Sequence, residues 1–472
     1  MVILFNMAYL SFTIVSALVL MVVTNLVSVF VKSKKLALVS TITLLFAASI
    51  ASFIIMLSGG SFIFIQVFQA DAFSALFFTV FPVAIAFIAL LSYDYSADFE
   101  TFSVLLSFVA VGVFLVTFAY SLIPILVGLE VVSLSSSFMI IVNGKKFVEP
   151  AVKLFLLSAI SIAIFTFALA MLLPYDSKLV LELAGTSTIG KYLLGLSLIL
   201  FAGALSLDAA AFPFNLWVPD VYEGSPANIT ALIAGINKKV SFVAILEIFV
   251  VVFAAYKFLG SSLLYSDIFL VLSVFTMFFG NLLALVQKNI KRLFAYSSIS
   301  QAGYIFIGIS VASHLGVEAS IFYIFAHMFM IIGAFAIVMW LESKHLYTLD
   351  DYSGLNGINA FAAISLTIFM LSMAGIPPLV GFVGKFLLFS SSVYGNDVAL
   401  ALIGIINSFI SIYYYAKVIN QIFLKKPVRK SNLDRNVAIV VSLCLIFVIF
   451  FGVYPQPLIN ASSLAAKAIV GI

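Results

Sequence analysis

Residues 205–239 read LSLDAAAFPFNLWVPDVYEGSPANITALIAGINKK. The stretch begins and ends apolar. Yet Asp208 sits inside the first run, Pro213, Pro219 and Pro226 interrupt it, and Lys238 and Lys239 stand in the middle of the second run. A charge at bilayer depth is costly and by default marks a path for ions or protons. Non-helical backbone at that depth is stable only where protein or a watery cavity surrounds it. The stretch therefore predicts a broken helix lining a polar route through a membrane.

The rest of the chain fits that setting. Of 472 residues, 64% are hydrophobic and 9% charged, with a mean hydropathy of +1.27. This is the composition of a polytopic helical membrane protein, not of a soluble domain. The net charge of +4 is no nucleic-acid signal, because most basic residues fall in short loops. A lone cysteine, Cys444, excludes an intrachain disulfide and a multi-cysteine cluster. The glycine runs, such as SGGSF at 58–62, lack a phosphate-loop pattern. No polar stretch is long enough for a soluble catalytic domain.

Apolar runs of about 20 residues predict fourteen spans, near 7–31, 36–57, 73–92, 102–119, 121–142, 150–173, 192–215, 226–255, 264–286, 293–312, 317–341, 358–391, 398–424 and 436–454. The first is too long for a signal-peptide core. The fourth and fifth are nearly continuous. The tail after 454 is mildly amphipathic and suits a surface position.

Loops after odd-numbered spans hold Lys32, Lys34, Lys35, Lys145, Lys146, Lys288, Lys291, Arg292, Lys344, Lys425, Lys426, Arg429, Lys430 and Arg435, whereas the other loops and the tail hold Lys178, Lys191, Lys257 and Lys467. Lysine and arginine favour the cytoplasmic side. The expected orientation therefore has odd loops inside and both termini outside. Asp220 and Glu223 are expected in a loop, capping helices or binding a neighbouring subunit.

Five basic residues remain within the spans: Lys153, Lys238, Lys239, Lys385 and Lys417. Glu130, Asp208, Glu247 and His327 join them there. Single ionisable groups spaced across several spans suit a proton relay, since each carrier must hand over to a nearby group or water. Neighbours tune each one, burial favouring the neutral lysine and a carboxylate the charged one. Lys153 lies near the start of its span, where snorkelling is the alternative, and Lys417 reads first as an interface anchor. Lys238 and Lys239 point about 100° apart on a helix, so one of them, Lys238, is expected to face the route. Glu247 reads as a channel-mouth or interface residue.

FVEPAVKLFLLSA at 147–159 echoes GVEASIFYIFAHM at 316–328, and MAGIPPLVGFVGKF at 373–386 repeats the proline break of the seventh span. The expected architecture is all-α, with three N-terminal spans (1–100), two inverted five-helix repeats (101–256 and 257–425), each with a broken helix, and a last span with its tail (426–472). Such repeats place broken helices near the midplane.

GLEVVSL at 128–134, PFNLWVPDVYEGSPANITALIAGINKK at 213–239, KRLFAYSSISQAGY at 291–304 and AGIPPLVGFVGKF at 374–386 resemble the antiporter-like subunits of respiratory complex I, most closely the subunit N type. The resemblance spans about 100–425. It implies a proton channel with no cofactor of its own, partnered by other membrane subunits in a prokaryotic cell membrane, with quinone bound elsewhere in a redox-driven complex. It also implies that Glu130 is the fifth-span glutamate, Lys153 the sixth-span lysine, Lys238 the eighth-span lysine and Lys385 the twelfth-span lysine. One position departs: where the family usually has a lysine, this chain has Asp208. A base is then expected to face Glu130 and Asp208 together in a coupled cluster; Lys238 and Lys239 are the available bases, one or both taking part. The competing readings are a subunit of a multi-subunit cation/proton antiporter, a stand-alone solute transporter, and a membrane subunit that has lost pumping in its first half.

Overall fold

The computed structural model describes residues 2–172, 188–252, 257–258, 262–424 and 431–470. Lys178, Lys425, Lys426, Arg429 and Lys430 lie outside these residues. Among the described residues, twelve helices are long and apolar enough to cross a membrane. Two further crossings complete the expected fourteen. Span 12 is divided between Ala360–Ala374 and Val380–Tyr394, and span 10 is Ile290–Ser310. Span 10 is too rich in serine, glutamine and tyrosine to read as lipid-facing, and nearly all of it is buried.

Local chemistry sets the helix ends. Asp71 and Ser74 form a reciprocal capping box at Ala72–Ser92, which satisfies backbone donors that a helix start leaves free. The side chains of Asp98, Asn289, Ser313 and Asn359 accept backbone N–H groups at the starts of their helices. The nearly continuous fourth and fifth runs are separate helices, Phe99–Thr117 and Leu122–Val142. They pack closely: a Cβ on Gly112 would meet Gly128 O, and one on Gly128 would meet Gly112 O, both at 2.7 Å. Backbones approach this far only where small residues face each other. Two short antiparallel ladders, Phe62–Phe64 with Phe68–Ala70 and Lys257–Phe258 with Ser262–Leu263, depart from the all-α expectation.

Spans 8 (227–252) and 11 (His314–Glu342) form the centre; every residue of their most apolar stretches is buried inside the protein. Span 8 is α-helical with two π segments, Ile233–Asn237 and Leu246–Val252. The first ends immediately before Lys238. Span 11 packs against spans 10, 12 and 14 and against the tail. The tail is a helix, Gln456–Val470, laid against spans 3 and 11 through Leu458, Ser462, Ala465 and Ile469.

Candidate proton pathway

Span 7 leaves the helix Thr188–Ala209 through Ala210 at φ 62°, and the chain resumes helix at Trp217–Gly224. Neighbours take up the freed backbone groups. Phe212 N–H donates to Thr276 Oγ1 at 3.0 Å, and Trp217 Nε1–H donates to Leu207 O at 3.2 Å. Asp208 sits in the last turn before the break and accepts a hydrogen bond from Ser161 Oγ at 2.8 Å. Glu130, on span 5, lies within electrostatic reach of Asp208, and its Oε2 is buried with no hydrogen-bond partner. A small cavity, with room for about one water-sized molecule, opens beside Asp208, lined by Ser133, Ser158, Trp217, Asn237 and Lys238 among others.

Lys238 and Lys239 are both buried and diverge. Lys238 Nζ donates to Ser298 Oγ at 3.2 Å and lies 5.6 Å from the centre of the Tyr222 ring. Lys239 Nζ lies 2.7 Å from His327 Nδ1 and donates to Ala234 O at 3.3 Å. The two lysines therefore serve different surroundings. Of the two, Lys238 lines the cavity beside Asp208, while the turn of about 100° per residue carries Lys239 round to span 11. No ion pair joins Glu130 or Asp208 to a base among the described residues. His327 is fully buried, its Nε2 without a hydrogen-bond partner.

The second break turns through Gly375 at φ 88°. Lys385, on the following helix, donates to Ala374 O at 3.3 Å and to Ser408 Oγ at 2.9 Å, and its ammonium sits 4.4 Å over the Tyr304 ring. A web of neutral polar groups surrounds it. Tyr323 OH donates to Gln301 Oε1, Gln301 Nε2 donates to Met373 O at 3.2 Å, and Ser297 Oγ bonds Tyr415 OH. Asn281 accepts from Tyr414 OH at 3.1 Å and donates to Asn407 Oδ1 at 3.1 Å. Sequence reasoning passed over this web. Its signal was the polar stripe Ser297, Gln301 and Tyr304 at i, i+4 and i+7 on one face of a buried span.

The remaining candidates lie apart. Lys153 is at the protein surface, paired with Glu149 at 2.9 Å and Asp220 at 3.1 Å. Asp220 and Glu223 belong to the helix Trp217–Gly224, not to a loop, and both pair with Arg292, at 3.0 and 2.9 Å. Burial alone would raise the Asp220 carboxyl, but hydrogen bonds from Lys153 and Arg292 hold it below the usual carboxylate range. Glu247, in the second π segment, lies within electrostatic reach of Asp71. Lys417 is exposed on Val398–Leu424. Lys291, counted above with the loops, is buried. It donates to Glu342 at 2.8 Å and to Ser225 O at 2.7 Å, and Glu342 Oε2 accepts Ala227 N–H at 2.9 Å. The start of span 8 is thus held from spans 10 and 11.

The family described as NADH:quinone oxidoreductase/Mrp antiporter, TM, matches residues 119–411, which enclose both breaks and every buried lysine named above. The chain belongs to this family. Its relatives include NADH-quinone oxidoreductase subunit N 1 of Chloroherpeton thalassium, 34% identical over 84% of this chain and 86% of that protein. F(420)H(2) dehydrogenase subunit N of Methanosarcina mazei is 30% identical over 86% of each. A chain of respiratory complex I from Thermus thermophilus superposes with a TM-score of 0.80 at 26% identity, covering 95% of this chain and 98% of that one. A chain of the Mrp complex from Dietzia shares the fold at a TM-score of 0.86 and 20% identity, covering 100% of this chain and 98% of that one. Within this family, the described residues contain no group of three or more His, Cys, Asp or Glu that could hold a metal ion.

Proposed function

We propose that this chain is the proton-translocating membrane subunit of a redox-driven quinone oxidoreductase complex, in which other subunits bind the electron donor and the quinone. The observation that carries the reading is the series of buried ionisable groups running from Glu130 and Asp208, past the cavity, to Lys238, Lys239 with His327, and Lys385. Asp208, Lys238, Lys239 and Lys385 are held by neutral hydroxyls, carbonyls or an imidazole, not by a strong counter-ion. A proton can therefore move between neighbours without first breaking a buried salt bridge. Lys153 and Asp220 would stand at the cytoplasmic mouth, Lys385 on the way out, and Glu247 with Asp71 at the outer end. Lys417 would anchor span 13 at the interface.

The two breaks support inverted repeats at 101–256 and 257–425, since each pairs a left-handed turn with proline and an ionisable group. The bacterial and archaeal relatives support a prokaryotic cell membrane, and the distribution of basic residues supports both termini outside. With Cys444 replaced by Ser, Arg429→Cys should react with an impermeant thiol reagent only from the cytoplasmic side; reaction from outside would reverse the orientation. The shared fold with an Mrp subunit favours a second reading, a cation/proton antiporter subunit. Mild solubilisation followed by identification of co-purifying subunits decides between them. Redox subunits and donor-driven proton uptake in reconstituted vesicles are expected; a partner set without redox proteins would overturn the first reading.

A further inference from the structure

The helix Ala360–Ala374 stops at the second break, and its last carbonyls lose their helical partners. Leu371 O and Ser372 O accept Gly375 N–H, at 3.1 and 3.0 Å. Ala374 O accepts from Lys385 Nζ and Ser408 Oγ, at 3.3 and 3.1 Å. The remaining carbonyl, Met373 O, accepts from Gln301 Nε2 at 3.2 Å. Lys385 and Gln301 therefore stand on consecutive carbonyls of one helix end. Gln301 is fully buried, and its orientation has one solution. Met373 O can only accept, so the amide nitrogen faces it. The amide oxygen then faces span 11, where Tyr323 OH donates to it. Tyr415 OH of span 13 lies 3.5 Å from the same amide nitrogen. Spans 11, 12 and 13 thus fix one carboxamide of span 10.

We infer that Gln301 is a positioning residue for Lys385: by occupying Met373 O it confines the ammonium to Ala374 O, Ser408 and the Tyr304 ring. An ammonium has three donors, and Lys385 bonds two acceptors, so it has a donor to spare for a freed carbonyl. A second carbonyl at the negative end of a helix would hold the charged form more tightly and slow release of its proton. Gln301 supplies a neutral donor in its place. The titratable groups around Lys385 are Tyr304 on span 10, Tyr323 and His327 on span 11, and Tyr414 and Tyr415 on span 13. The buried face of span 14 adds Cys444. No carboxylate pairs with Lys385 among the described residues, so the number of carbonyls it reaches decides how firmly it keeps its proton. The inference rests on the translocation reading only in taking Lys385 as a group that gains and loses a proton.

The test uses the purified complex in detergent and reductive methylation with formaldehyde and a borane, which modifies only a neutral amine. Methylation of Lys385 is followed against pH by peptide mass spectrometry. Gln301→Met keeps the side-chain volume and removes the amide. It is expected to lower Lys385 methylation at a given pH about tenfold or more, the effect of one added hydrogen bond from a charged donor, with the loss recovered at higher pH. Tyr323→Phe, which frees the amide to turn, should shift the curve in the same direction by less, and serves where Gln301→Met does not fold. Curves that coincide with the native one, or a loss of equal size at every pH, would reduce Gln301 to packing and overturn the inference. So would a native Lys385 that reacts at no pH, since an ammonium that never yields its proton needs no positioning. Proton uptake by the same preparations separates the two readings. Coincident curves with intact uptake sink the positioning role alone; a shifted curve with no uptake by the native complex upholds that role and sinks translocation.

Discussion

Span 7 leaves its helix at Ala209 and turns through Ala210; span 12 leaves at Ala374 and turns through Gly375. In the first break the ionisable group, Asp208, precedes the turn. In the second, Lys385 follows it and reaches back to the carbonyl of Ala374. A helix C-terminus presents free carbonyls and partial negative charge. An ammonium there gains donors' partners and a favourable field, and Lys385 is fully engaged. A carboxylate there meets like charge, and Asp208 has one serine hydroxyl and an open cavity instead. Two breaks of similar backbone shape thus differ in sign: the second binds its ammonium to the carbonyls it frees, and the first leaves its carboxylate on a cavity wall.

The largest effect is expected at the second break. Lys385→Ala should lower redox-driven proton uptake roughly tenfold or more, and Lys385→Arg should fail as well, because a guanidinium does not release its proton. Unchanged uptake in Lys385→Ala would reduce the second site to a structural contact. At the first site, Lys238→Ala leaves two carboxylates without a neighbouring base and should be far more damaging than Asp208→Asn, for which a change of about twofold or less is expected because the groups share protons. Asp208→Lys should be tolerated, giving the first break the same sign as the second. If Asp208→Asn abolished uptake while Lys238→Ala spared it, Asp208 itself would be the essential carrier.

The turns allow a milder test. Ala210 holds a left-handed φ of 62° that a side chain disfavours, whereas glycine holds the matching place at 375. Ala210→Gly should stabilise the protein by about 1 kcal/mol, and Gly375→Ala should cost about 1–2 kcal/mol, its Cβ also coming to 3.1 Å from Lys385 Cδ. Thermal unfolding of the two variants measures both; a gain from Gly375→Ala would break the parallel between the turns.

The smallest effect is at the surface belt. The folded-state value of Asp220 is depressed, so its contribution is present above the unfolded value of about 4 and fades as pH falls through the folded one. Asp220→Asn should lower stability by less than about 1 kcal/mol at neutral pH, since the pair is exposed, and the deficit should vanish near pH 2. A deficit that persisted in acid would assign Asp220 a role other than ion pairing.

Sequence periodicity and length made the fourteen spans legible, because twenty apolar residues in a row have few alternatives. Proline and charge together marked both breaks. Side-chain direction was harder. Lys238 and Lys239 are adjacent letters, and only the π segment and the packing of span 11 decide that one meets Ser298 and the other His327. Lys291 looked like a loop cation because it begins its helix; its burial depends on Glu342, about fifty positions away in sequence. The web of Gln301, Tyr323 and Tyr415 needed three spans to be brought together before its hydrogen bonds existed.

The enclosure of nearly all of span 8 bears on how the chain is made. A lysine at the centre of a lone helix disfavours insertion by about 2.5–3.5 kcal/mol, and span 8 carries two. Lys239 finds its imidazole on span 11, and Lys238 its hydroxyl on span 10, both synthesised later. Span 8 should therefore enter the bilayer poorly when synthesis stops before span 9, and efficiently once spans 10 and 11 have followed. Glycosylation mapping of chains truncated after residues 263 and 342 would read this; equal insertion of both would mean that the earlier spans alone shelter the two lysines during biogenesis.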